Sequence, residues 1–116
     1  MKRVIVPAVL LSFLMVGCQS NMGGKEPVRI KVLAKKYRFE PPEIRVKKGD
    51  EVLLEVTTAD VQHGFHVPDL DISEPIQKGK VAEIRFTAAD RGEHKIECNI
   101  ICGPRHDDMV GKIVIE

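Results

Sequence analysis

The stretch Cys98-Asn99-Ile100-Ile101-Cys102-Gly103-Pro104-Arg105-His106-Asp107-Asp108-Met109 gathers two thiols, an imidazole and a thioether. Gly103 and Pro104 suit a tight, non-helical path, so a loop between two strands can turn these groups to one side. Such a set binds metal. Thiolate and thioether select copper(I), zinc or iron–sulfur chemistry, and imidazole suits copper and zinc. Met109 discriminates among them. Structural zinc is satisfied by Cys and His, whereas a weak axial Met is a device of copper electron-transfer sites. A further imidazole must come from elsewhere in the chain, and His63 and His66 are the candidates. Their odd separation puts them on opposite faces of a strand, so they do not serve as ligands together.

Other readings of the same residues stay open at this point. Two nearby cysteines form a plain disulfide in an oxidising compartment, although the His and Met that follow weigh against it here. Cys102, His106, Met109 and His63 also satisfy a mononuclear blue-copper site, with Cys98 spare. A copper-delivery or storage protein is the third alternative, and it requires ligands that exchange. For His66 and His94 a surface or structural role is the default. No nucleophile and base stand at recognisable spacing, which argues against an independent hydrolytic enzyme.

A metal loop needs a rigid scaffold, and the flanking sequence reads as strands. Val28, Ile30 and Val32 alternate with Arg29 and Lys31, the pattern of a half-buried strand, and Tyr37 and Phe39 continue a similar alternation. Pro41 and Pro42 interrupt any ladder, Ile44 and Val46 resume it, and Lys48-Gly49-Asp50 signals a turn before Val52–Val56. His63–Val67 reads as a short strand ended by Pro68, Asp69–Gly79 as polar and turn-rich, and Val81–Thr87 as another alternating strand. After the turn Asp90-Arg91-Gly92 come His94, Ile96 and Cys98, and Met109–Ile115 closes the set. No apolar 3.6-residue period persists. The expected fold is all-β, a Greek-key sandwich or small barrel of about 6–8 strands.

The chain of 116 residues allows one such unit. Its charges balance, 18 basic against 17 acidic, so the totals point to no nucleic-acid partner. With no Trp, one Tyr and four Phe, the core must come mainly from Val, Ile and Leu.

Residues 1–17 read as an export signal: Lys2 and Arg3 precede the apolar run Val4–Val16, which falls short of the roughly 20 apolar residues of a membrane-spanning helix. Leu14-Met15-Val16-Gly17-Cys18 resembles a bacterial lipoprotein cleavage site, which implies lipidation at Cys18. Residues 18–27 are polar and read as a flexible tether to a domain over 28–116. The expected location is the periplasmic, outer face of the cell membrane, with the membrane itself a partner through the anchor.

With these residues in view, the chain resembles the copper-A domain of cytochrome c oxidase subunit II, in the cupredoxin superfamily. The resemblance runs from Tyr37-Arg38-Phe39-Glu40-Pro41, through Ile44–Asp50 and Asp60–Pro68, to the carboxy end, and the loop C-x3-C-G-x2-H-x2-M is its specific part. It implies a two-copper centre in which Cys98 and Cys102 bridge the ions. His63 and His106 each bind one copper, Met109 is a weak ligand beside His63, and the backbone carbonyl of Ile100 completes the other ion. Shared thiolates spread one unpaired electron over both coppers, so bonds change little on reduction and transfer is fast. The resemblance further implies a c-type cytochrome or similar redox donor, and a terminal oxidase subunit I as partner. Two departures stand out: Ile100 replaces a common Glu, and the missing Trp leaves Phe65 as the nearest substitute for an aromatic electron-entry patch.

Overall fold

Strand alternation sorts the side chains of this protein into layers. The computed structural model describes residues 26–116, so the export signal, Cys18 and most of the expected tether lie outside the described residues. Strand β1 (Val28–Lys35) buries Val32 and Ala34 while Arg29 and Lys31 face water. The chain turns at Lys36-Tyr37, and β2 (Arg38–Glu40) returns antiparallel with Phe39 opposite Ala34. The remaining strands are β3 (Glu43–Val46), β4 (Glu51–Thr58), β5 (His63–Val67), β6 (Ile72–Ile76), β7 (Ala82–Thr87), β8 (Gly92–Glu97) and β9 (Val110–Ile115).

They form two sheets, ordered β2-β1-β4-β7 and β3-β9-β8-β5-β6. The pairs β1–β4 and β3–β9 are parallel and not consecutive in sequence, so the chain crosses between layers as in a Greek key. Val32, Phe39, Leu54, Phe65, Ile96 and Ile113 belong to the buried core these strands build. Phe39 meets Phe65 edge to face, 5.6 Å between centroids at 82°, a geometry worth about 0.5–1.5 kcal/mol beyond burial.

One segment differs from the sequence expectation. Asp69–Gly79 is not wholly turn: it contains β6, which brings the strands among the described residues to nine. The strand is hidden in the sequence because it is an edge. It pairs with β5 alone, leaves Ser73, Glu74 and Pro75 exposed, and buries Ile72 and Ile76. An edge tolerates both the proline and the broken alternation.

Register also fixes the two ends of the sandwich. Val28 pairs with Val52 near the start of β4, whereas β4 ends at Thr58 and leads towards Asp60 and His63. Chain entry and the cysteine loop therefore sit at opposite ends.

Candidate metal centre

Strands β8 and β9 are antiparallel neighbours with Glu97 opposite Val110, so Cys98–Met109 is the loop of their hairpin. The Cys98 N–H donates to the Met109 carbonyl at 3.3 Å and closes its base. Both residues are buried at the top of the core, and a 3-10 turn, His106–Asp108, brings the chain back down. The adjacent strand β5 opens with His63, and its alternation turns His63, Phe65 and Val67 inward. His66 lies half-exposed, paired with Glu97 across β8, so the two imidazoles part as strand geometry requires.

The structure brings the expected ligands together. One ligand atom each from His63, Cys98 and Cys102 lie within 4.8 Å of one another. The two Sγ atoms are 3.7 Å apart, the His106 Nδ1 is 3.7 Å from the Cys102 Sγ, and the Met109 Sδ is 4.0 Å from it. The Ile100 carbonyl oxygen lies 3.1 Å from the Cys98 Sγ. His63, Cys98, Cys102 and Met109 are all buried, whereas the His106 side chain keeps 19% of its surface exposed.

Whether the residues fit a metal is decided by His63. Its Nε2 meets Asp60 Oδ1 at 2.7 Å, and its Nδ1 is buried with no hydrogen-bond partner. Burial acts to raise the Asp60 pKa, but the Lys36 and Val61 amides and the His63 ring outweigh it and hold the carboxyl at about 2. An ionised carboxylate only accepts, so Nε2 is the donor, and in the neutral imidazole Nδ1 is left with a free lone pair. A buried lone pair without a donor costs free energy unless a cation meets it. Burial, then the neighbouring Cys98, pushes the Cys102 thiol up to about 11. Metal uptake at neutral pH therefore displaces a proton from sulfur. The set fits a soft metal ion.

Sequence reasoning missed several residues that shape the site. Asp60 could have been found from its spacing to His63, since metal-binding imidazoles commonly donate to a carboxylate. Gly64 could not: a Cβ there would strike Asn99 Oδ1 and come within 3.0 Å of the Asn99 nitrogen. Tyr37 also escaped notice. Gly103, at φ +155°, leaves no room for a Cβ because the Tyr37 hydroxyl would lie 2.5 Å from it, and the Arg105 guanidinium stacks 5.8 Å from the Tyr37 ring centre. Phe65, by contrast, is fully buried and cannot form a surface patch. It points inward with His63, and the half-buried aromatic at the loop is Tyr37. His94 is structural: its Nε2 donates to the Asp90 carbonyl at 2.8 Å, and its Nδ1 lies 3.2 Å from Asp69.

Residues 7–115 match the family of the cupredoxin-like domain. The chain belongs to that family. This cupredoxin is 37% identical over 93 residues to cytochrome c oxidase subunit 2 of Thermus thermophilus, covering 80% of this chain and 69% of that one. It therefore also belongs with the oxidase subunit 2 proteins. It is 33% identical to nitrous-oxide reductase of Stutzerimonas stutzeri over 77% of this chain, but spans 15% of that enzyme. Among solved structures, a heme-copper terminal oxidase dimer matches at TM-score 0.71 and 28% identity, covering 77% of this chain and 65% of that chain. The protein is thus a cupredoxin domain homologous to oxidase subunit 2, with a His and two Cys placed to bind copper.

Proposed function

We propose that this domain carries single electrons through a binuclear copper centre. Cys98 and Cys102 would bridge the ions, His63 and His106 would each hold one, and Met109 and the Ile100 carbonyl would be weaker ligands. The observation that carries the reading is the pair of buried sulfurs 3.7 Å apart beside an unpartnered His63 Nδ1. Cys98 is part of the cluster rather than spare, which disfavours a mononuclear site.

Copper bound there supplies a one-electron couple. The protein's own part is to keep the donors still and dry. His63 is locked by Asp60, Met109 is fully buried, and the Cys98–Met109 base is part of the β8–β9 hairpin. Donors fixed in advance have little to rearrange when charge changes, and a closed set leaves no position for substrate.

The chain would be exported, anchored through a lipid on Cys18, and face the periplasm. Entry at Val28, remote from the loop, would then direct the metal rim away from the anchor. A c-type cytochrome or similar donor would supply electrons, and a terminal oxidase subunit I is the acceptor this family membership favours.

Copper stoichiometry with electron paramagnetic resonance on the reconstituted chain tests the reading. Two coppers sharing one unpaired electron are expected. One copper with a localised spin, or none, overturns it.

A further inference from the structure

Asn99 holds none of the proposed ligand positions, yet it fastens the first half of the loop. Among the described residues, no backbone-to-backbone hydrogen bond outside the strand ladders holds Asn99 to Cys102. The second half is different. There the His106 N–H donates to the Gly103 carbonyl at 3.1 Å, Asp108 to Arg105 at 3.0 Å, and Met109 to His106 at 3.2 Å.

What the first half has is a side chain. Asn99 Nδ2 donates to Ser73 Oγ at 3.0 Å, on the edge strand β6. To reach it the carboxamide passes over β5 at Gly64, in the space a side chain there would fill: a Cβ would strike Asn99 Oδ1 and lie 3.1 Å from the Ile100 nitrogen. The same glycine donates its N–H to the Cys98 Sγ at 3.3 Å, and that sulfur lies 3.1 Å from the Ile100 carbonyl. The start of the loop is thus tied to two neighbouring strands: to β5 through Gly64 and to β6 through Ser73.

We infer that Asn99 is a positioning residue, whose bond to Ser73 fixes the Ile100 carbonyl and the Cys98 sulfur relative to each other. This deepens the copper reading and rests on it. With respect to this bond the loop has two states, bolted to β6 and free of it, and a metal that uses both groups prefers the bolted one. Loss of a single such bond changes an equilibrium about two- to tenfold.

The test compares Asn99→Ala, Ser73→Ala and the double variant with the parent chain. In metal-free protein, nitrogen-15 relaxation is expected to show the Ile100–Cys102 amides falling from order parameters of about 0.85 to below about 0.6 in each variant. After copper loading, both single variants should shift the copper hyperfine splitting and release copper to a strong chelator about two- to tenfold faster. The double variant should be no worse than either single, because all three remove the same bond. Unchanged order parameters overturn the inference, as does loosening without any change in hyperfine splitting or release rate. A parent that takes up no copper instead sinks the function proposed above, while the metal-free relaxation data still decide whether the bolt exists.

Discussion

At the residue scale the centre depends on pairs, each made of a donor and the group that aims it. Asp60 is the clearest such group, because its carboxylate fixes which nitrogen of His63 is free. Asp60→Asn should weaken copper retention about 10- to 100-fold in chelator competition, the usual cost of losing a carboxylate behind a metal-bound imidazole. The same residue sets a pH dependence in metal-free protein. Its folded pKa of about 2 lies below the ordinary 3.8, so its stabilising contribution is complete above pH 3.8 and is lost as pH falls towards 2. Asp60→Asn should flatten that part of an acid-unfolding curve, and an unchanged curve would remove Asp60 from the account. Cys98→Ser should abolish the two-copper spectrum; parent-like stoichiometry and colour would disprove bridging. His66→Ala should leave the centre nearly intact, since His66 sits on the outer face beside Glu97.

At the element scale the hairpin loop is held by close approach to β5. Gly64→Ala should cost about 1–3 kcal/mol in urea unfolding, because the Asn99 carboxamide must give up its bond to Ser73 and the Asn99 and Ile100 backbone nitrogens still lie 3.0 and 3.1 Å from the new Cβ. Below the loop the two sheets meet through Phe39 and Phe65, both fully buried. Phe65→Ala should cost about 3–5 kcal/mol, measured the same way, by opening a cavity directly under His63. The salt links across β3, β9 and β8 matter less. Lys112 bridges Glu93 and Glu43 at 2.9 and 3.3 Å on an exposed face, where solvent screens such pairs and they add little to stability.

At the scale of the whole molecule, the sandwich puts chain entry and the cysteine loop at opposite ends. Val28 enters at one end and the loop opens at the other, where Ile101 stands 86% exposed beside the partly exposed His106. On the proposed reading, a tether preceding Val28 would leave the rim free for a redox partner. If Cys18 carries the lipid, Cys18→Ser should move the protein from the membrane fraction to the soluble periplasmic fraction without altering its copper spectrum; retention in membranes would exclude that anchor.

The sequence by itself determined the donor set and the fold class. Ligand type and spacing are local facts: C-x3-C-G-x2-H-x2-M states which soft donors one hairpin loop can present, and period-two alternation states which strands can carry it. It also separated His63 from His66, since strand parity is built into the chain. The edge strand β6 was not legible, because burial on one side of a sheet margin leaves no alternation to read. Nor were the space over Gly64 or the exchange of Phe65 for Tyr37 as the aromatic at the loop. Each of these depends on which strands become neighbours, and only the tertiary structure decides that, because pairing β5 between β6 and β8 is what brings distant residues within contact of the cysteines.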